Sequence, residues 1–245
     1  MRTPRLYLPI PLSSDARITL TDAAHHYIVR VLRLKPGMPC VLFNGQGGEF
    51  QAVIETVERR QATACVGNFI SKEAESPLDV LLAQGISKGA AMDYALQKAV
   101  ELGVNAIQPL LVERSVVNVS DARLTRRMEH WHGVIASACE QCGRNRLPQL
   151  LAVLSLDAWL NSQVNPGLRL LLDPVAQLSG LRHIPSPSSK ITLLIGPEGG
   201  LSPTETAAAR ATGFTSIRLG PRVLRTETAG VAALTALQVL WGDLG

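Results

Sequence analysis

Residues 190–231 read KITLLIGPEGGLSPTETAAARATGFTSIRLGPRVLRTETAGV, and this stretch decides the fold. Two short apolar runs, Ile191–Ile195 and Phe214–Leu219, each end in a glycine-bearing turn, and a helix follows each turn. The first turn is Gly196-Pro197-Glu198-Gly199-Gly200; the second runs from Gly220-Pro221-Arg222 to Arg225-Thr226-Glu227-Thr228. Two such loops at neighbouring strand ends form a crevice, the usual ligand site of an open α/β sheet. The helix after the first turn is clearly marked: Ser202 is its N-cap, Pro203 takes the first helical position, Glu205 completes a capping box, and Gly213 ends it. Thr228–Leu240 is almost wholly apolar, so the last helix is expected to be buried on most sides.

Upstream, the same alternation reaches back to residue 78. Val80–Gln84, Ala106–Val112 and Leu168–Leu172 read as strands. Ala90–Leu102, stopped by Gly103, and Asp121–Cys142, closed by Gly143, read as helices. Alternating strands and helices imply a mostly parallel sheet covered on both faces. The Ser- and Pro-rich stretch 179–189 reads as a loop.

Before residue 78 the pattern differs. Ser71-Lys72-Glu73-Ala74-Glu75-Ser76-Pro77 is polar and ends in proline, which makes it the domain boundary: 1–72 and 73–245 are the two expected domains. In the first, Leu6–Leu8, Arg17–Leu20, Pro39–Asn44, Gly48–Val57 and Gln61–Phe69 are strand candidates separated by Gly or charged turns. Asp22 can N-cap a helix over Ala23–Leu34, stopped by Pro36-Gly37. The expected unit is a small β-barrel with one helix.

The 245 residues are 46% hydrophobic and 18% charged, enough to bury a core and unlike a disordered chain. The net charge of +4 permits a polyanionic partner without demonstrating one. Aromatic residues are only 4%, which argues against a broad base-stacking platform. Four cysteines do not make the dense framework of a secreted mini-protein. MRTPRLYLPIPL has neither a long apolar run nor a small-residue cleavage site, and no run reaches membrane-spanning length. A cytoplasmic protein with no membrane partner is expected.

The Gly196–Gly200 turn does not fit a phosphate loop. It is neither G-x-G-x-x-G nor G-x-x-x-x-G-K-[ST], and Glu198 would repel an anion. Its spacing alone leaves two readings, a tight strand–helix turn or a loop for a neutral or cationic ligand. In the second loop Thr226 or Thr228 can serve as an N-cap, while Arg222, Arg225 and Glu227 beside a buried helix are harder to dismiss as solvated charge. Cys139-x-x-Cys142, with His130 and His132 before it, contains a Cys₂His₂ ligand set, but the spacing is not that of a zinc finger. The pair also lies near a helix C-terminus rather than the N-terminus a redox motif would want. Buried free thiols are expected, and no metal.

Taken in order, Ile195-Gly196-Pro197-Glu198-Gly199-Gly200-Leu201-Ser202 and Leu219-Gly220-Pro221-Arg222-Val223-Leu224-Arg225-Thr226-Glu227-Thr228-Ala229 resemble the ribosomal RNA small subunit methyltransferase E family of the SPOUT superfamily. The resemblance extends to Lys88-Gly89, Leu96-Gln97-Lys98, Glu101-Leu102-Gly103-Val104, Glu113-Arg114-Ser115 and Glu140-Gln141-Cys142-Gly143-Arg144. In the N-terminal part, His26, Val31-Leu32-Arg33 and Gly37 fit as well.

The resemblance implies a small PUA-like β-barrel that binds RNA, followed by a SPOUT-type α/β domain with a trefoil knot. It implies a homodimer, S-adenosyl-L-methionine as cofactor, and 3-methyluridine in 16S rRNA of the small ribosomal subunit as product. Leu172, Ile195, Gly196, Glu198, Gly200, Leu219, Gly220, Leu224, Thr226, Thr228 and Ala229 would bind the cofactor. Uracil N3–H is too weak an acid to react unaided at neutral pH. An arginine near O2 or O4, Arg225 or Arg144, would stabilise the developing anion; Glu227 could take the proton, with a structural salt bridge or cap as its alternative role. Arg2, Arg5, Arg30 and Arg33 are candidate phosphate contacts, with a solvated basic face as the alternative for each. Two other classes compete. A non-catalytic RNA-binding or ribosome-assembly protein on the same fold is opposed by the intact Arg225–Ala229 loop. A nicotinamide dehydrogenase is opposed by the lack of a glycine fingerprint at Leu82–Lys88.

Overall fold

The computed structural model describes residues 3–115, 121–162, 167–187 and 190–245. It divides into two compact units. One comprises Met1–Glu75 with Ala136–Leu147; the other comprises Ser76–Ile135 with Pro148–Gly245.

The first unit is a curled five-stranded sheet. β1 (Arg5–Tyr7), β2 (Arg17–Thr21), β3 (Pro39–Phe43), β4 (Glu49–Val57) and β5 (Gln61–Ile70) lie in the order β1-β3-β4-β5-β2. β1 runs parallel to β3 and the other pairs are antiparallel. Alternation places Leu20, Leu42, Ala52, Ile54, Ala62, Ala64 and Val66 on the inner face, where Leu6 and Ile28 join them.

The helix between β2 and β3 departs from expectation. It is α-helical only over α1 (Asp22–His26) and continues as a π-helical segment, Tyr27–Leu32. It stops at Arg33, not Leu34, because Arg33 turns left-handed at φ 52°. Leu34 then donates back to the Ile28 carbonyl at 3.0 Å and is buried. The wider π turn offsets the loss of regular α bonding by returning Leu34 to the core.

The second unit holds a parallel sheet in the order β12-β10-β11-β6-β7-β8, with β9 also pairing β7. Its strands are β6 (Val80–Gly85), β7 (Ala106–Leu111), β8 (Gln149–Leu150), β9 (Leu154–Ser155), β10 (Leu168–Leu172), β11 (Ile191–Ile195) and β12 (Thr215–Ile217). β6 and β11 are buried throughout, as strands covered on both faces must be. Leu81 and Ala83 of β6 join a cluster built with Trp159, Leu160, Ala209 and Phe214, which come from α4 (Leu156–Ser162), α5 (Pro203–Ala211) and the residue just before β12. Leu82 and Gln84 therefore face the opposite side of the sheet. α2 (Ala90–Glu101) packs on α6 (Thr226–Trp241). The long helix α3 (Asp121–Cys142) forms as expected, and its last residues, from Ala136, belong to the first unit.

α6 is buried along one face only. Thr226, Gly230, Ala233, Leu234, Leu237 and Gln238 are covered, whereas Val239 and Leu240 are exposed. Burial on most sides does not hold within one chain. Among the described residues no helix is long and apolar enough to cross a membrane.

Candidate active site

In the second unit, the ends of β10 and β11 and the loop entering α6 enclose a cavity of about 950 Å³. The first wall is the glycine turn. β11 delivers the chain at Ile195, and Gly200 N donates to Pro197 O at 2.8 Å, closing a tight turn. Gly200 sits at φ 68°, a conformation that favours glycine. A Cβ on Gly196 would lie 2.9 Å from the Gly200 carbonyl carbon and from Leu201 N, so no side chain fits there. The full capping box forms: Ser202 Oγ accepts from Glu205 N, and Glu205 accepts from Ser202 N. Arg114 braces the turn by donating to Gly199 O at 3.0 Å.

The second wall runs from Arg218 to Ala229. Arg225 is the N-cap of α6, in extended backbone and without a side-chain cap. Neither threonine caps the helix as expected. The Thr226 hydroxyl instead donates to Gly196 O at 2.6 Å and accepts from Gln84 Nε2 at 3.0 Å, because position 226 is already helical and faces the sheet. The third wall continues β10 through Leu172, Asp173, Pro174 and Val175. Asp173 is buried; its carboxylate accepts from Arg210 Nη2 at 2.9 Å and from Val175 N at 3.0 Å.

Of the residues singled out in the sequence, Arg225, Glu227, Leu172, Ile195, Gly196, Glu198, Gly200, Leu219, Leu224, Thr226 and Ala229 line this one cavity. Gly220 shapes the second loop at φ 74° without lining it, and Thr228 is exposed on α6 outside it. Glu198 is tied down, accepting from Lys88 N at 3.0 Å. Arg144 lies in the first unit, buried, with its guanidinium bonded to the Glu75 carboxylate. Asp173, Arg210, Arg218 and Arg114 also line the cavity. Of these only Arg114 carried a signal in the sequence, as part of Glu113-Arg114-Ser115.

The candidate phosphate contacts divide. Arg30 and Arg33 are exposed. Arg2 lies outside the described residues. Arg5 is buried; its guanidinium is paired with Glu49 and donates to Arg144 O at 3.2 Å and Asn145 Oδ1 at 2.6 Å. That arrangement leaves Arg5 no exposed face for a phosphate. Cys139 is buried in the first unit, while His130 of the second pairs with Asp93 at 2.9 Å. Among the described residues no group of three or more His, Cys, Asp or Glu is placed to hold a metal.

Residues 74–238 match the model of an RNA methyltransferase domain, and residues 20–64 match that of an RNA methyltransferase PUA domain. Over 243 residues the chain is 35% identical to the ribosomal RNA small subunit methyltransferase E of Buchnera aphidicola subsp. Schizaphis graminum, covering 99% of this chain and 98% of that one. The chain belongs to the ribosomal RNA small subunit methyltransferase E family. The enzyme of that family from Bacillus subtilis is 29% identical over 237 residues, 92% of each chain. Two solved structures superpose along their whole length. The family member from Neisseria gonorrhoeae, bound to S-adenosyl methionine, has a TM-score of 0.91 at 38% identity. A Legionella pneumophila chain in complex with bound SAM has a TM-score of 0.95 at 39% identity. Each is matched over 100% of both chains. Within this methyltransferase E family framework, the curled sheet is a PUA-like domain and the parallel sheet a SPOUT-type domain.

Proposed function

We propose that this RNA methyltransferase uses S-adenosylmethionine to methylate N3 of a uridine in 16S rRNA of the small ribosomal subunit. The observation that carries the reading is the convergence of the two glycine loops, more than twenty positions apart in the sequence, on one cavity. The residues suit the cofactor. Leu172, Ile195 and Leu224 offer apolar walls for an adenine, and Gly196 and Gly200 bring backbone polar groups close where a Cβ would intrude. The Glu198 carboxylate and the turn carbonyls favour a cationic sulfonium over a phosphate. The trefoil knot belongs with this reading.

The bound cofactor supplies an electrophilic methyl group. The N3–C bond forms as the S–C bond breaks, and the N3 proton must leave to a base. Arg225, exposed at the rim, is assigned to the developing charge on uracil O2 or O4. Glu227, in the first turn of α6, is assigned to the proton. The Glu75 pairing of Arg144 favours Arg225 over it for this role. Arg30 and Arg33 are assigned to RNA phosphates. Val239 and Leu240 on α6 and Leu244 just beyond it, which are 50%, 42% and 53% exposed, support assigning the homodimer interface to this apolar surface.

Incubating the protein with labelled S-adenosylmethionine and small subunits from a strain lacking its gene tests the reading. Nucleoside mass spectrometry should find the label as 3-methyluridine in 16S rRNA. Label at another atom would remove the N3 assignment, and no label in any RNA would overturn the whole. Sedimentation should give twice the chain mass.

A further inference from the structure

β6 contributes to neither glycine loop, yet its end holds both. Gln84 is fully buried there and lies in register with Ile195 of β11. Its Nε2 donates to Gly85 O at 3.0 Å and to Thr226 Oγ1 at 3.0 Å. The Thr226 hydroxyl donates in turn to Gly196 O at 2.6 Å. The directions are fixed chemically. A carbonyl only accepts, so the NH₂ end of the Gln84 amide must face Gly85 O, and the Thr226 proton must point to Gly196 O. The result is a relay from amide to hydroxyl to carbonyl, in which each bond polarises the next. It joins the end of β6, the first turn of α6 and the first residue of the glycine turn.

Backbone packing reinforces the relay. A Cβ on Gly85 would lie 2.5 Å from Pro197 Cδ and 2.7 Å from Pro197 N, so β6 abuts the turn directly. Three residues further on, Lys88 N holds Glu198. The Gln84 Oε1 atom, by contrast, is buried with no hydrogen-bond partner among the described residues. Burying an acceptor unpaired costs stability. An apolar side chain of similar size would avoid that cost, so folding alone does not account for an amide here; what its N–H groups hold does.

We propose that Gln84 is a positioning residue of the cofactor site, setting the separation of the two cavity walls through Thr226 and the Gly196 carbonyl. Both Gly196 and Thr226 line the cavity, whereas Gln84 does not. The inference rests on the cavity being the S-adenosylmethionine site.

The test compares the full-length protein with Gln84→Leu, Thr226→Val, the double variant and Thr226→Ser. Three quantities are measured: the thermal midpoint, hydrogen exchange of peptides 195–202 and 219–229 without ligand, and calorimetric affinity for S-adenosylmethionine. Gln84→Leu should keep or raise the midpoint, speed exchange in both peptides and weaken binding about tenfold. Thr226→Val should match it in exchange and affinity, the double variant should be no worse than either, and Thr226→Ser should restore wild-type behaviour. Wild-type exchange and affinity in Gln84→Leu would overturn the proposal. So would multiplying losses in the double variant, or a Gln84→Leu midpoint well below that of the wild type. If the wild type itself binds no S-adenosylmethionine, the cofactor reading fails, and exchange in the free protein still decides whether the relay holds the loops.

Discussion

Arg225 and Cys139 show how one side chain's surroundings set what it can do. Arg225 caps α6 only through its backbone, so its guanidinium is not spent on helix formation, and the residue lines the cavity. Arg225→Ala should lower kcat for RNA methylation by about 10²–10³-fold, the usual cost of losing one anion-stabilising donor. S-adenosylmethionine affinity should change far less, and Arg225→Lys should recover part of kcat; single-turnover kinetics separate these outcomes. Cys139 and Cys40 lie at the other extreme. Burial pushes both thiols up to about 12. Since the thiolate is the reactive form, almost none of it exists at pH 8. Iodoacetamide at pH 8 should therefore label exposed Cys65 quickly, and Cys40 and Cys139 only after denaturation, as read by peptide mass spectrometry. The expectation of buried thiols for the Cys139–Cys142 pair holds for Cys139, whereas Cys142, three positions on, is only half-buried. Thr226 was legible as a residue of the site, but its bond to Gly196 was not, since capping rules see three or four neighbours and that bond spans thirty positions.

Among the elements, the long periodic ones were readable and the short ones were not. β6, β11, α2, α3 and α5 sit within a residue or two of where apolar runs, caps and glycines place them. β8 and β9 have two residues each and α4 seven, too few for any period to register. The π segment Tyr27–Leu32 shares the apolar pattern of an α-helix and differs only in where its last residue must land. α5 offers the sharpest test, since its capping box follows directly from the glycine turn. Ser202→Ala should cost about 1 kcal/mol in denaturant unfolding of the second unit. Glu205→Ala should cost more, because Glu205 accepts from both Ser202 N at 2.8 Å and Glu113 N at 2.8 Å. Removing it leaves two backbone donors to find water.

For the molecule as a whole, linear order misleads at one place. The sequence marks Ser71–Pro77 as a boundary, and the chain does change character there, but the first compact unit also takes in Ala136–Leu147. Composition cannot show this, because the returning segment is the ordinary end of a long helix followed by Gly143. What it brings is a polar network. Tyr7 N donates to Glu140 at 2.9 Å, and Arg5 uses Arg144 O and Asn145 Oδ1 besides its ion pair with Glu49. Asn145 Nδ2 donates to Lys72 O at 2.6 Å, and Glu75 pairs with Arg144. A fragment ending at Glu75 keeps the strands and the apolar core, yet loses two acceptors of a buried arginine and the partner of Glu75. Incompletely bonded buried charge costs several kcal/mol, comparable to the stability of so small a domain. Residues 1–75 alone should therefore give poorly dispersed NMR spectra and a broad thermal transition. The same residues joined by a flexible Gly/Ser linker to 136–147 should give a dispersed spectrum and one cooperative transition. Replacing Arg144 and Asn145 by alanine in the joined fragment should abolish that recovery, because the network, more than the added apolar area, is what the returning segment supplies.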